Sequence, residues 1–443
     1  MLRNQRYSIW LSLITVLTIV ALPTTSTRLQ VFPGMLDPSF GTHGRTVSHG
    51  SHSYDPAYGM ALQSDGKIVV VGSDGTSTFN RPPYAFAVAR YNADGSLDTS
   101  FGGSGTVTTS LGASNAVAHG VAVQTDGKIV VAGNLSQYVV VVRYNPDGGL
   151  DTSFGSNGVV STTVGIGFAT GRSVMLQPDG QIVVGGDTEV VGNEIDFVVV
   201  RYNPDGSPDG TFGAGGIVTM SFITPGVTSS GASLQPDGKI VLVGYYLVGT
   251  SGPFNIAMVR FTAAGSLDGS FGVGGKVTTI FPGTRNGNQA FAVALQSDGK
   301  IVVGGNNYNQ DANSTVSFAL ARYNTDGSLD ASFGVGGEVT SNASSNYAIL
   351  SGLAIQSDGR IVGVGSNYDL GSNFVVVRYQ TDGSVDTSFG TGGTVVTAFG
   401  RLSVAIPRSV VIQSDGKLVV AGNAGNGIQI SDFAVARYLP GRP

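Results

Sequence analysis

Apolar residues come along this chain in unbroken runs, not in alternation. YVVVVRY at 138 to 144 and DFVVVRY at 196 to 202 are apolar at odd and even positions alike. A strand that is apolar on both faces must be covered on both. The runs also return at a fixed interval. An Asp-Gly turn followed by an apolar run opens at Asp65, Asp126, Asp179, Asp237, Asp298, Asp358 and Asp415, about 58 residues apart on average. Each run pairs with a second that ends in Arg, at Arg90, Arg143, Arg201, Arg260, Arg322, Arg378 and Arg437. An Asp-x-x-Phe-Gly element follows at Asp98, Asp151, Asp209, Asp268, Asp330 and Asp386, and its seventh copy, Asp37 with Phe40, stands near the front of the chain.

Every marker thus occurs seven times, in permuted order. Periods of this length mean propellers, solenoids or arrays. An open solenoid needs distinct capping repeats, and the terminal copies here are ordinary. A ring needs none, and it closes when the N-terminal piece finishes the unit abandoned at Tyr438. Asp-Gly suits a tight hairpin turn because Gly takes φ > 0 freely. The pattern predicts four strands per unit; in the second these are Gly105 to Ser110, Ala116 to Gln124, Lys128 to Gly133 and Tyr138 to Tyr144, with the DGSLD phrases linking one blade to the next. The expected fold is all-β: a single seven-bladed β-propeller, four strands per blade, closed by the N-terminal strand completing the last blade.

The phrases DGKIVVVG and RYN-x-DGSLD-x-SFG resemble the delta-60 repeat family of bacterial proteins, from Leu36 to Tyr438. Departures are Phe261 and Ala264 in the fourth phrase and Gln181 in the third turn. The resemblance implies a propeller-like fold on an exported protein, and no catalytic activity or cofactor.

The N-terminus supports export. Arg3 and Arg6 precede a 15-residue apolar core, Ser8 to Leu22, which is short for a membrane span and suited to a signal peptide. The expected organisation is a signal peptide over 1–26, a linker over 27–35, the propeller over 36–440 and a tail over 441–443. The destination is the periplasm, the cell surface or the medium, with membrane contact only through an uncleaved N-terminal segment.

Composition narrows the chemistry. The chain has no Cys, which removes disulfides and thiol nucleophiles. A formal net charge of -5 offers nothing to nucleic acid. Among 29 acidic residues most belong to the repeat; Asp55, Asp74, Asp187, Glu189, Glu194, Asp196, Asp311, Glu338, Asp369 and Asp432 do not. Each Arg90-type guanidinium is expected to pair with its Asp98-type carboxylate, as architecture. Asn92, Asp94, Gly95 and Asp98 match part of a calcium loop, but Arg90 and Phe101 stand where its first and last ligands belong. His49 and His52 with Asp55, and the acidic stretch DTEVVGNEID at 187 to 196, read as solvated loops before they read as a zinc site or a glycosidase pair. No metal, cofactor or catalytic residue is expected.

The expected function is a binding or scaffolding module for an unknown protein or carbohydrate. The alternatives are a hydrolase or lyase working at the central channel or the variable-loop face, and a self-associating envelope protein. An enzyme would bring non-repeat bases from several blades to the axis. Of the two rims, one is uniform, made of Asp-Gly turns and DGSLD phrases. The other varies from blade to blade, and variable loops on a rigid scaffold carry specificity. The expected ligand face is therefore His52, Tyr54, Asn80, Arg81, Tyr84, Arg285, Asn306, Tyr308, Asp311, Tyr347, Tyr368 and Arg401.

Overall fold

A computed structural model describes residues 32–48, 56–75, 84–112, 115–192, 194–222, 226–249, 252–281, 287–309, 315–343, 347–368, 371–400, 404–426 and 431–440. The expected signal peptide and the tail at 441–443 lie outside the described residues. Within them, 28 strands form seven separate four-stranded antiparallel sheets, the blades of a seven-bladed β-propeller. The innermost strands are Ala57–Leu62, Ala116–Val123, Ala169–Leu176, Val227–Leu234, Asn288–Leu295, Ala348–Ile355 and Val404–Ile412.

The phase of the blade differs from the sequence expectation. The short strand Thr106–Thr109 does not open the second blade; it pairs with Tyr84–Tyr91 as the outer edge of the first. The DGSLD phrase is therefore a connection inside a blade, and the link between blades follows the outer strand. Both arrangements place the Asp-Gly turns and the DGSLD phrases at one end, so the division into a uniform and a variable end holds.

Closure follows the same rule. Arg45–Ser48 is the outer strand of the last blade, pairing Arg45 with Ala436 and Ser48 with Phe433. That is the register in which Thr106 faces Ala89 and Thr109 faces Phe86 in the first blade. Phe40 is fully buried with Tyr91 and Val419, between the last blade and the first. Attachment begins inside the expected linker: the Gly34 amide donates to Leu439 at 2.9 Å and the Gly390 amide to Pro33 at 2.9 Å.

The strongly apolar second and third strands of each blade are buried on both faces, as their composition requires. Two polar devices tie neighbouring blades. In the first, the penultimate Arg of each third strand is almost wholly buried. Arg260 donates from Nε to Asp268 at 2.8 Å and from Nη1 to the Thr325 carbonyl of the next blade at 2.6 Å, and it lies 4.2 Å over the Phe271 ring. The arrangement repeats at Arg90, Arg143, Arg201, Arg322, Arg378 and Arg437, whose carboxylates lie at 2.7 to 2.9 Å. The turn lysine adds a second cation, Lys239 at 3.6 Å from Asp268 and Lys300 at 2.9 Å from Asp330. Gln181 keeps this bond without the charge, donating from Nε2 to Asp209 at 2.8 Å.

In the second device, the fully buried Tyr next to that Arg bonds a hydroxyl on the outer strand of the preceding blade. Tyr144 meets Thr109 at 2.8 Å, Tyr202 meets Thr162 at 2.7 Å, Tyr323 meets Thr279 at 2.7 Å and Tyr438 meets Thr397 at 2.8 Å. The fourth blade has Phe261 instead, and the position that would carry its hydroxyl is Met220, packed into the same apolar cluster.

Deleting residues 36 to 48 removes the last blade's outer strand together with Asp37 and Phe40. The variant is expected to aggregate or to lose its cooperative melt, and an unchanged calorimetric transition would exclude closure by this segment. Asp268→Ala strands the buried Arg260 charge and is expected to cost about 3–5 kcal/mol. Lys239→Ala, at a partly exposed amine, is expected to cost about 1 kcal/mol or less. Chemical denaturation of the pair checks this; equal losses would mean that burial of the guanidinium is not what makes the carboxylate necessary.

Candidate functional site

Each innermost strand carries a β-bulge at the same register. The extra residue falls between Ala57 and Gly59, Ala118 and Gly120, Gly171 and Ser173, Ser229 and Gly231, Ala290 and Ala292, Leu350 and Gly352, and Pro407 and Ser409. A bulge leaves one residue unpaired and re-aims its side chain. Here the seven extra residues are Tyr58, His119, Arg172, Ser230, Phe291, Ser351 and Arg408, and all of them line one channel of about 310 Å³. A glycine on the facing strand accommodates the bulge. A Cβ on Gly72, Gly133 or Gly186 would lie only 1.8 to 2.0 Å from the inner strand's carbonyl just ahead of it.

The channel brings chemistry together from four blades. The Tyr58 and His119 rings are 5.1 Å apart, and the Arg408 guanidinium lies 5.7 Å over Tyr58. His119 Nε2 and Asn134 Oδ1 are 3.0 Å apart. Burial, then the charges of Arg172 and Arg408, push the imidazole down to about 4, so it is neutral at pH 7. Burial raises the Tyr58 hydroxyl, against the pull of Arg408. Arg172 pairs with Asp187, 3.0 Å from Nη2. Asp187 is almost wholly buried; desolvation raises its carboxyl, while Arg172 and the Ser229 amide of the next blade hold it down. Arg408 is exposed, and no carboxylate pairs with it among the described residues.

Aromatic side chains continue from the channel toward the variable end. Tyr245 lies 5.7 Å from Phe291 and 5.5 Å from Phe254. Tyr308 donates its hydroxyl to Gln289 at 2.8 Å; burial, and after it the neighbouring Tyr347, Tyr245 and Tyr368, push that hydroxyl up to about 12. Tyr347 and Tyr368 meet edge to face at 5.6 Å, 40% and 42% exposed.

Of the residues expected at the ligand face, His52, Tyr54, Asn80, Arg81, Arg285, Asp311 and Arg401 lie outside the described residues, as do His49 and Asp55. Tyr84, Tyr308, Tyr347 and Tyr368 sit at the variable end, and Tyr84 is close enough to Tyr58 to act on its ionisation. Asn306 differs from the expectation: it is fully buried, and its Oδ1 accepts the Leu350 amide of the next blade at 2.8 Å. The acidic stretch 187 to 196 is a hairpin rather than a solvated loop. It sends Asp187 inward to Arg172 and Asp196 to the Ser221 hydroxyl, 2.8 Å away. The calcium-like phrase is a turn whose carboxylates are already engaged, Asp94 by Ser96 at 2.6 Å and Asp98 by Arg90 and Ser100. Among the described residues no group of three or more His, Asp and Glu could hold a metal ion.

The channel residues escaped the sequence reading. Their signal was present: each stands seven positions before a turn aspartate, in a column that reads Tyr, His, Arg, Ser, Phe, Ser, Arg.

A family model described as a β-propeller domain of unknown function, DUF5122, matches residues 63–101, 124–154, 177–212, 235–271, 296–333, 356–389 and 413–441. The chain belongs to the DUF5122 β-propeller family. Each DUF5122 match spans the Asp-Gly turn and the strand Arg, the first six also span the Asp that pairs with it, and each begins after the bulged residue. The shared features are thus the scaffold, and the channel column lies outside them. No curated protein sequence matches the chain. Among solved structures, virginiamycin B lyase from Staphylococcus aureus is 12% identical over 89% of this chain and 98% of its own, with a TM-score of 0.50. The polysaccharide lyase Uly1 is 10% identical over 89% and 91%, with a TM-score of 0.49. The α-L-arabinanase of Penicillium chrysogenum is 12% identical over 72% and 91%, with a TM-score of 0.42. At such identities the likeness is one of fold.

A neutral His119 gives the channel a pH signature. The unfolded imidazole takes up a proton near pH 6.5 and the folded one near 4, so the folded state loses stability as pH falls through that window. Glu338, raised to about 7 by burial, drifts the other way. His119→Gln retains Glu338, so the difference between the two proteins isolates the imidazole. The variant is expected to gain about 1–3 kcal/mol relative to the parent between pH 7 and pH 4, read from urea midpoints. A constant difference would mean that His119 is freely solvated.

Proposed function

We propose that this propeller is an exported ligand-binding module whose site spans the variable end of the axis. One observation carries the reading. The blades share the Arg–Asp tie through which neighbours touch, and they differ at the bulged channel residues and at the loops of one end. Variable side chains on a rigid repeated frame are where binding specificity is carried. The site holds an exposed guanidinium with no carboxylate partner among the described residues, a neutral imidazole and half-exposed tyrosines, a mixture that suits directional recognition of a polar ligand.

The alternative of an enzyme draws support from the same convergence of Tyr58, His119, Arg172 and Arg408. A glycosidase needs two carboxylates across its substrate, and no carboxylate lines the channel among the described residues; elimination, which needs a base and a cation, fits these residues better. The third reading, self-association, would show as a mass that rises with concentration.

A glycan array and an envelope-extract capture, run on the parent and two double variants, test the binding face. Tyr347→Ala with Tyr368→Ala is expected to weaken capture about tenfold or more, while Lys67→Ala with Lys300→Ala on the uniform rim leaves it unchanged. The reverse result would move the site to the other face, and shortening of a bound glycan would turn the reading to a lyase.

A further inference from the structure

The chemistry of the channel and of the surface above it names a class of ligand. Arg408 offers a guanidinium that no protein carboxylate uses among the described residues. Arg172 is 31% exposed at its side chain; Asp187 takes its Nε and Nη2, so Arg172 lends the channel its remaining Nη1 and the fork left for a ligand is that of Arg408. Arg172 and Arg408 line the same channel, together with His119. A planar guanidinium fork matches a carboxylate in shape and charge. Tyr58 and His119 stay uncharged beside it and offer hydrogen bonds to hydroxyl groups.

Above the channel the surface changes character. Phe291 leads to Tyr245, and Tyr245 through Tyr308 to the exposed pair Tyr347 and Tyr368. A tyrosine presents a flat apolar body with a polar tip, and the C–H face of a sugar ring bordered by hydroxyls is its complement. The channel, at about 310 Å³, is at the small end of the ~300–1,000 Å³ range for small-ligand pockets. It admits one chemical unit, not a folded partner.

We propose that the site binds a carboxylate-bearing glycan, an oligomer of uronic acids, with one carboxylate at Arg408 in the channel that Arg172 also lines and the following rings across Tyr308, Tyr347 and Tyr368. This rests on the binding-module reading and adds the ligand's chemistry to it. Acidic peptides, which share the carboxylate, are an outcome of the test.

The experiment is calorimetry of the full chain with oligomers of galacturonate, glucuronate-containing hyaluronan and alginate. Each is paired with its carboxyl-reduced counterpart, and a poly-glutamate peptide is run beside them. At least one acidic oligomer is expected to bind about tenfold or more tighter than its reduced form. Arg408→Gln, at an exposed side chain whose loss leaves the melt unchanged, should erase that preference. Tyr347→Ala with Tyr368→Ala should weaken both forms and leave their ratio. Equal binding of acid and reduced forms, a preference that survives Arg408→Gln, binding of poly-glutamate alone, or no binding of any oligomer would each overturn the proposal. If Lys67→Ala with Lys300→Ala abolishes binding while the tyrosine and Arg408 variants do not, the choice of face itself fails. If the tyrosine variants abolish binding and charge is irrelevant, the face stands and the ligand class falls.

Discussion

The buried guanidinium is the constraint on which the rest of the ring depends. An Arg taken out of water must find partners for its donors, or the fold pays heavily in desolvation. Here one carboxylate takes Nε, a carbonyl of the next blade takes Nη1, and a phenylalanine ring covers the face. The carboxylate is held in turn by its own Ser hydroxyl and amide two residues on. Because the carbonyl belongs to the neighbouring blade, no blade can satisfy its Arg alone. At the seam the same requirement joins the two ends of the chain: Arg437 bonds Asp37 at 2.9 Å across 400 residues, and its Nη1 reaches the Ala93 carbonyl of the first blade. Ring closure is therefore specified by the chemistry that joins every other pair of blades.

The exceptions show which parts of this frame are obligatory. Phe261 replaces a buried Tyr, and Met220 replaces the hydroxyl that Tyr would have bonded. Removing one partner would leave a buried polar atom unsatisfied, whereas replacing both with apolar groups is nearly neutral. Gln181 replaces a turn lysine and still donates to Asp209. Among the described residues the Arg–Asp pair itself has no such substitute, since it occurs in all seven blades.

The same logic explains what could be read from the chain beforehand. Seven copies of each marker and the permuted ends were enough for blade number, all-β class and closure. Blade phase was not, because a repeating string carries no mark of where its unit begins. GTVTTS is as good a first strand as a last one, and only the pairing of Thr106 with Ala89 decides. For the site, Tyr308, Tyr347 and Tyr368 stood out as loop-end aromatics without a repeat role, and they do share a surface. Asn306 stood two residues before Tyr308 on the same face of the same strand, but it lies deeper between the blades, where its Oδ1 accepts the Leu350 amide, and it became an inter-blade tie. The channel column was visible and went unread because it lies in strands, where variation looks like packing tolerance. A bulge has no signature in hydrophobic pattern, so nothing in the apolar period marks those positions as lining an axis.

That column also shows how the scaffold separates specificity from stability. The glycine opposite each bulge leaves room for the inner strand's carbonyl, so the bulge is fixed by backbone sterics and not by the residue it carries. Tyrosine, histidine, arginine, serine and phenylalanine occupy equivalent sites without disturbing the sheet pairings on either side. The Arg–Asp and Tyr–Thr ties lie on the outer strands and their connections, away from this column, so a change at the axis leaves them intact. Seven positions can then vary independently around one channel while the ring that holds them stays the same. A frame of this kind accommodates new ligand chemistry by substitution at the bulges, and it brings charged groups such as Arg172 and Arg408 to one channel although they come from the third and seventh blades.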